Sequence, residues 1–370
     1  MIGFCLSDPH PDRAGDGSPV RTLSAARFYG RYRLVDFMLS NMVNSKIFSI
    51  AMILNSHYQS LIEHIGMGKE WDLARKSGGV TFFPPYYADE RRSVNNELDG
   101  PLQRAALFLT EKKEDYVVLV DSSVVYNMNY RAAFEAHRKS GADVTAIYTK
   151  KTITPGEREN TVVFTISEEG RVTGIGPAPL ATDTINVSLG AYIMHKRVFI
   201  QLTAGERNCG MFRFSRVLLA EALSNMKVEA FEFKGYSAHI CSVETFFHYN
   251  LDVLDIDKRN SLFDFEGRQI FTNIWDSLPT RYGKQADIKN SVIADGCRID
   301  GTVINSIICR NVKIAPGAVV KNCVLQDDTV VENGASLDCI ITDRMVKISE
   351  NRKMVGYRTY PVYIEMGRVI

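Results

Sequence analysis

The sequence predicts an α/β domain with a mostly parallel sheet and helices on both faces, followed by a parallel β-helix built from six-residue rungs. Three observations carry this reading. Continuous apolar runs at 47–54 and at 116–120 suit strands buried on both faces. Segments with helical spacing alternate with them. In the last third of the chain, aliphatic residues recur every six positions.

Taken in order, segment 58–66 carries Leu61, Ile62 and Ile65 at helical spacing, and 101–112 places Leu102, Ala105, Ala106 and Leu109 on one face. A helix is expected at 130–140 and a strand at 143–149. Residues 161–166 and 171–175, joined through Glu168-Glu169-Gly170, read as a hairpin. Strands follow at 187–194 and 228–234, and helices at 214–223 and 243–253. Residues 254–283, with polar turns and Pro279, read as a linker. The expected division is therefore 1–253, 254–283 and 284–370.

The tail has aliphatic rows of its own. Val312, Ala318, Val324 and Val330 form one, Val319, Leu325, Val331 and Leu337 a second, and Ile308, Ile314 and Val320 a third. Such rows fit the inward side of a triangular coil. Hexapeptide coils often serve acyl transfer through a histidine base, but the last histidine here is His248, ahead of the tail. The tail is read instead as a structural and assembly module.

Bulk composition narrows the partners. The 370 residues include 44 Lys+Arg and 43 Asp+Glu, a net charge of +1, so no global field favours nucleic acid or an anionic membrane. No apolar stretch reaches the ~18 residues that span a bilayer. The seven cysteines contain no C-x-x-C pair, which suits a reducing cytoplasm and small buried side chains.

One stretch is more specific. Phe28-Tyr29-Gly30-Arg31-Tyr32-Arg33-Leu34-Val35-Asp36-Phe37, continued by Leu39-Ser40-Asn41-Met42-Val43-Asn44-Ser45, closely resembles the P-F-G-G-K-Y-R-I-I-D-F-x-L-S-N-x-x-N-S-G motif of ADP-glucose pyrophosphorylase, or glucose-1-phosphate adenylyltransferase. Tyr126-Asn127-Met128-Asn129-Tyr130 resembles that family's Y-K-M-D-Y. Ser188-Leu189-Gly190-Ala191-Tyr192 resembles its S-M-G-I-Y near the sugar. The resemblance covers essentially the whole chain. It implies a GT-A-like, doubly wound nucleotidyltransferase domain with a left-handed parallel β-helix, and a tetrameric enzyme of glycogen synthesis. That enzyme joins glucose 1-phosphate to ATP by in-line displacement, which requires phosphate charge to be neutralised by Mg²⁺ and basic side chains.

The chemical motifs of the family depart in this chain. Where its glycine-rich loop should stand, Ser7–Gly17 carries only Gly15 and Gly17, and Pro9 and Pro11 remove two amide donors. Arg21 matches the arginine of R-A-K-P, but Leu23 replaces its lysine. The two metal aspartates fall on Ser123 and His239. Gly176-Pro177-Ala178-Pro179 stands where E-K-P is expected. The resemblance therefore implies the non-catalytic, regulatory partner type, with no metal or cofactor on this chain and Mg²⁺ on a catalytic sister subunit in a hetero-oligomer. What remains of the nucleotide and sugar pocket would be Gly30, Asp36, Asp121, Ser188 and Gly190. Asp36 and Asn41 are read as bracing the fold rather than acting chemically.

Arg13, Arg21, Arg27, Arg31 and Arg33 crowd 21 residues and face only Asp16 within that span. They are candidates for binding a phosphorylated effector, with Arg344 and Arg352 from the tail and Arg33 foremost. The plain alternative is a solvated face with subunit salt bridges. Two other functions stay open on the residues alone: an active adenylyltransferase with a rearranged site, and a stand-alone sugar-phosphate or nucleotide sensor.

Overall fold

The computed structural model describes residues 1–6, 22–54, 57–85, 101–179, 184–204 and 214–370. A nine-stranded sheet organises the first part. Its main path runs Val172–Pro177, Val162–Ile166, Ile185–His195, Tyr116–Asp121, Ile2–Leu6, Ser49–Ile53 and Gly79–Phe83. Val144–Lys151 and Val228–Glu232 continue from Ile185–His195. The four strands from Tyr116–Asp121 to Gly79–Phe83 are parallel. Ser49–Ile53 and Tyr116–Asp121 among them are the continuous apolar runs, buried on both faces because helices cover both, whereas Gly79–Phe83 at the edge is only partly buried.

The sheet is less uniformly parallel than the alternating pattern suggests. Ile185–His195 pairs antiparallel with both Tyr116–Asp121 and Val144–Lys151, with a bulge between Ser188 and Ala191. Two apolar cores lie on either side of it. One gathers Phe4, Leu119, Tyr192, Phe199 and Phe214; the other gathers Met42, Ile50, Val118, Val120 and Ile193. Helices form at Gln59–Ile65, Pro101–Glu111, Arg131–Ser140 and Val243–Asp252. Segment 214–223 differs from a plain helix: it opens with a π-turn at Phe214–Leu218 and closes with Leu219–Ala222.

Residues 254–283 are not an open linker. Helix Ile256–Phe263 forms there, capped by Asp255, whose side chain accepts from the Asp257 and Lys258 amides. The chain beyond it is strapped onto the α/β domain. Phe271 N–H donates to Ser40 Oγ at 2.9 Å, Asn44 Nδ2 donates to Gln269 O at 3.0 Å, and Asn273 Nδ2 donates to His64 O at 2.9 Å. Ile270 and Thr272 are buried beneath this strap. The absence of sequence periodicity reflected a segment held by side chain–backbone bonds rather than by an apolar stripe.

The tail forms three five-stranded parallel sheets, one per side of a coil. It begins at Arg281, where strand Arg281–Tyr282 already pairs with Arg298–Ile299, three residues before the expected boundary at 284. Asparagines supply many corners, at Asn290, Asn305, Asn311, Asn322 and Asn351, all at positive φ, a conformation their short polar side chains tolerate. Equivalent strands begin at Arg281, Arg298, Lys313, Val330 and Lys347, intervals of 17, 15, 17 and 17 residues. Coils are thus slightly shorter than three six-residue sides, and strict rows of six drift. Val312, Ala318, Ile308, Ile314, Val320, Leu325, Val331 and Leu337 do fill the interior. Val319 and Val330 remain partly exposed, and Val324 turns toward the α/β domain.

The two parts are packed together. Phe247 is fully buried against Ile307, Val324, Cys339 and Ile341, with Tyr29 and Phe246 at the margin.

Candidate functional site

The parallel strands Ile2–Leu6 and Tyr116–Asp121 end side by side, with Leu6 opposite Asp121. Ligand crevices of open α/β sheets lie at such carboxyl ends. Asp121 is buried, and its Oδ1 accepts from both the Ser123 amide and the Ser123 hydroxyl, each at 2.7 Å. Gly190 sits against it: a Cβ there would come within 2.7 Å of Asp121 Cβ, and its φ of +60° already favours glycine. Ser188 Oγ accepts the Gly190 amide at 3.1 Å and pairs with Tyr192 OH at 3.0 Å. Tyr192 OH donates in turn to Ser215 Oγ at 2.7 Å. Asp121, Ser188 and Gly190 are therefore brought into one polar corner.

The two positions read as the family's metal aspartates lie on adjoining backbone segments. Ser237–His239 pairs antiparallel with Val124–Tyr126, setting His239 opposite Val124, and the Ile240 amide donates to Ser123 O at 3.1 Å. Ser123 is buried and His239 half-buried. Mg²⁺ requires hard oxygen ligands in near-octahedral array. Among the described residues, this corner offers one carboxylate, with an oxygen already engaged twice by Ser123, together with a hydroxyl and, on the neighbouring strand, His239. Those residues do not fit a magnesium site. Among the described residues, no group of three or more His, Cys, Asp or Glu side chains is placed to hold any metal ion.

The glycine-tyrosine-arginine motif lies elsewhere. Gly30, at φ +79°, rests on the β-helix, where a Cβ would stand 3.6 Å from Ile308 O and 3.7 Å from Ala294 Cβ. It lines the contact between the two parts rather than a sugar pocket. Asp36 is also structural. Its Oδ2 caps the Arg33 amide at 2.8 Å, and its Oδ1 meets His64 Nε2 at 2.6 Å, with both side chains buried. Asn41 donates to Tyr126 O at 2.9 Å and accepts the Met128 amide at 3.0 Å, bracing the fold as expected. Leu23, at the motif-lysine position, packs on the cluster of Phe28, Leu34 and Phe37.

The arginines do not converge as one surface. Arg27 is buried and bound to Asp327 of the β-helix, with Nη2 at 2.6 Å and Nε at 2.9 Å from Oδ2. Arg33 is buried too, its Nη1 donating to Ser60 O at 2.7 Å and Ser60 Oγ at 3.0 Å. Arg31 is exposed, 5.2 Å from the Tyr32 ring. Arg344 is half-buried near Met366 Sδ, and Arg352 is exposed. Arg13, Arg21 and the Ser7–Gly17 loop lie outside the described residues.

The structure adds residues that sequence reading passed over. Ser24 Oγ and Ser122 Oγ meet at 2.5 Å. Cys5, in the same corner, is pushed up to about 12 by burial. At the β-helix contact, Arg27 meets Asp327 and Trp275, and Arg310 meets Asp295 and the same Trp275. No local pattern announces them, because their partners lie up to 300 residues away.

A doubly wound α/β domain with its crevice at the strand ends, joined to a hexapeptide β-helix, defines a nucleotidyltransferase-type protein. The nucleotidyl transferase family matches residues 21–258, and the GlmU-like C-terminal hexapeptide family matches 278–359. The chain belongs to the nucleotidyl transferase family, among the homologues of ADP-glucose pyrophosphorylase. It is similar to the glycogen biosynthesis protein GlgD of Bacillus subtilis (strain 168), with 30% identity over 376 aligned positions, covering 100% of this chain and 96% of that protein. GlgD of Geobacillus stearothermophilus is 32% identical over 303 positions, covering 81% and 77%. The glucose-1-phosphate adenylyltransferase of Thermosipho africanus (strain TCF52B) is 28% identical over 325 positions, covering 87% and 78%. Among the described residues, no helix is long and apolar enough to cross a membrane.

Proposed function

We propose that this chain is a non-catalytic subunit in glycogen biosynthesis. It pairs with a catalytic sister that makes ADP-glucose from ATP and glucose 1-phosphate, within a cytoplasmic hetero-oligomer, most simply a tetramer. The observation that carries this reading is the junction of Ser123 and His239 beside an Asp121 already hydrogen-bonded by its neighbour. A phosphoryl-transfer centre without its metal clamp loses several kcal/mol of transition-state stabilisation, and each ~1.4 kcal/mol is tenfold in rate. Likeness to proteins named for glycogen biosynthesis, beside likeness to adenylyltransferases, supports the same assignment. The Mg²⁺ belongs in this reading to the sister chain.

The test is co-expression with a catalytic sister, followed by ADP-glucose assays of each chain alone and of the purified complex. This chain alone is expected to be inactive, and the complex to differ from the sister in rate or in its response to phosphorylated effectors. Turnover by this chain alone within about tenfold of an ordinary ~10 s⁻¹ overturns the proposal.

A further inference from the structure

The contact between the motif segment and the β-helix contains a closed set of charges. Arg27 places Nη2 and Nε on Asp327 Oδ2, and its Nη1 donates to Arg31 O at 3.2 Å. Asp327 Oδ1 accepts the Arg310 amide at 3.2 Å. Arg310 Nε donates to Asp295 Oδ1 at 3.2 Å, while its Nη1 is buried without a hydrogen-bond partner. The Trp275 ring lies 6.0 Å from the Arg27 guanidinium and 5.7 Å from that of Arg310. Arg27, Arg310 and Asp327 are each at most 6% exposed.

Two buried guanidiniums that both lie against one aromatic ring are the groups a phosphate would seek. Here two carboxylates of the chain itself balance them, Asp327 on the Arg27 guanidinium and the Arg310 amide, and Asp295 on the Arg310 guanidinium. We infer that Asp327 is a built-in anion: its carboxylate occupies the place beside Arg27 and Arg310 that a phosphate-bearing ligand would need. A free phosphate entering this cleft would meet a buried like charge and would have to strip Asp327 of its partner, leaving a buried carboxylate unpaired. The cleft is thus self-liganded. Arg27 serves as a permanent tie between the α/β domain and the β-helix, and any response to phosphorylated ligands is carried by other residues or by another chain. This inference goes beyond the subunit reading and is tested on the isolated full chain, so the two stand or fall separately.

Titration calorimetry with inorganic phosphate and with pyrophosphate tests it, on the wild type, Arg27→Gln, Asp327→Asn, and Asp327→Asn combined with Arg27→Gln. Circular dichroism melts check that each is folded. The wild type is expected to show no saturable phosphate binding that depends on Arg27. Asp327→Asn keeps the side-chain shape, removes the charge, and should bind phosphate at least about tenfold more tightly than the wild type, a change of ~1.4 kcal/mol. The added Arg27→Gln should abolish that gain. Wild-type binding that Arg27→Gln removes overturns the inference, and so does a folded Asp327→Asn that gains nothing. Should Asp327→Asn not fold, the wild type against Arg27→Gln decides alone: binding lost with Arg27 refutes a self-liganded cleft, and no binding in the wild type upholds it.

Discussion

Asp36, in helix Leu34–Asn44, and His64, in helix Gln59–Ile65, meet inside the protein, Oδ1 to Nε2 at 2.6 Å. Burial pulls the His64 imidazole below its ordinary value. Asp36 opposes this in part, and the positive charges of Arg33 and Arg27 add to the lowering. His137, hydrogen-bonded to Thr145, is lowered by burial as well. The unfolded chain therefore holds these protons more tightly than the folded one. Stability should be fully present above the ordinary histidine value of about 6.5 and should fall as pH drops below it, through the folded values. Urea midpoints measured between about pH 5.5 and 7.5 should rise with pH. His64→Gln should flatten that slope while lowering stability throughout, and an unchanged slope in the variant would remove His64 from the account.

Metal binding offers a direct check on the strand-end corner. The wild-type chain should bind Mn²⁺ weakly, since among the described residues Asp121 is the carboxylate at that corner and Ser123 already occupies one of its oxygens. Ser123→Asp together with His239→Asp adds two hard oxygen donors at positions that the pairing brings together. The double variant should bind Mn²⁺ at least about tenfold more tightly, read from free Mn²⁺ by electron paramagnetic resonance. Equal affinity in both proteins would show that the corner is not where the metal site was lost.

Two glycines should separate strain from overlap. Gly30→Ala meets only ordinary contacts, so its cost comes from φ +79° and should be about 1 kcal/mol. Gly190→Ala adds a Cβ 2.7 Å from Asp121 Cβ at φ +60° and should cost more, on the order of 2–3 kcal/mol. Thermal melts of the two variants rank them. A Gly30→Ala protein less stable than Gly190→Ala would contradict the packing described.

Thiol labelling should report the cores. Cys5, Cys309 and Cys323 are buried, and burial raises all three thiols. The thiolate is the reactive form, so these cysteines should stay unlabelled by Ellman's reagent or iodoacetamide in the native protein and react on unfolding. Peptide mapping by mass spectrometry identifies them. Rapid native labelling at Cys309 would mean the β-helix core opens readily.

Much of the architecture was legible because its signals are local. Val117–Val120 and Ile50–Ile53 are apolar on every residue, which only a strand covered on both faces requires. The coil was legible from its repeat, although the 17-residue turns moved Val319 and Val330 off the interior. Helix Ile256–Phe263 was missed because its sequence, Ile-Asp-Lys-Arg-Asn-Ser-Leu-Phe, buries only Leu262 completely and shows no stripe. The candidate site divides in the same way. Asp121, Ser188 and Gly190 converge at the strand ends, whereas Gly30 and Asp36, named with them, lie apart. Arg27 and Arg33 were candidates for a ligand from their crowding with other arginines and, for Arg33, its place in the motif, but both signals see only neighbours in sequence. Their partners, Asp327 and Ser60, arrive through the fold.

The near-constant interval between equivalent strands of the coil has a consequence for how such a chain can change length. Inserting one residue in a rung would slip every following side chain off its column, whereas inserting 17 would add a storey and leave the others in register. The lower storeys are committed, because Ile307, Val324 and Ile341 are fastened to Phe247. The last one turns Val355, Tyr357 and Tyr360 outward, so a storey added there leaves the columns beneath it in register, whereas trimming it would strip Tyr363 and Ile364 from the contact and the core.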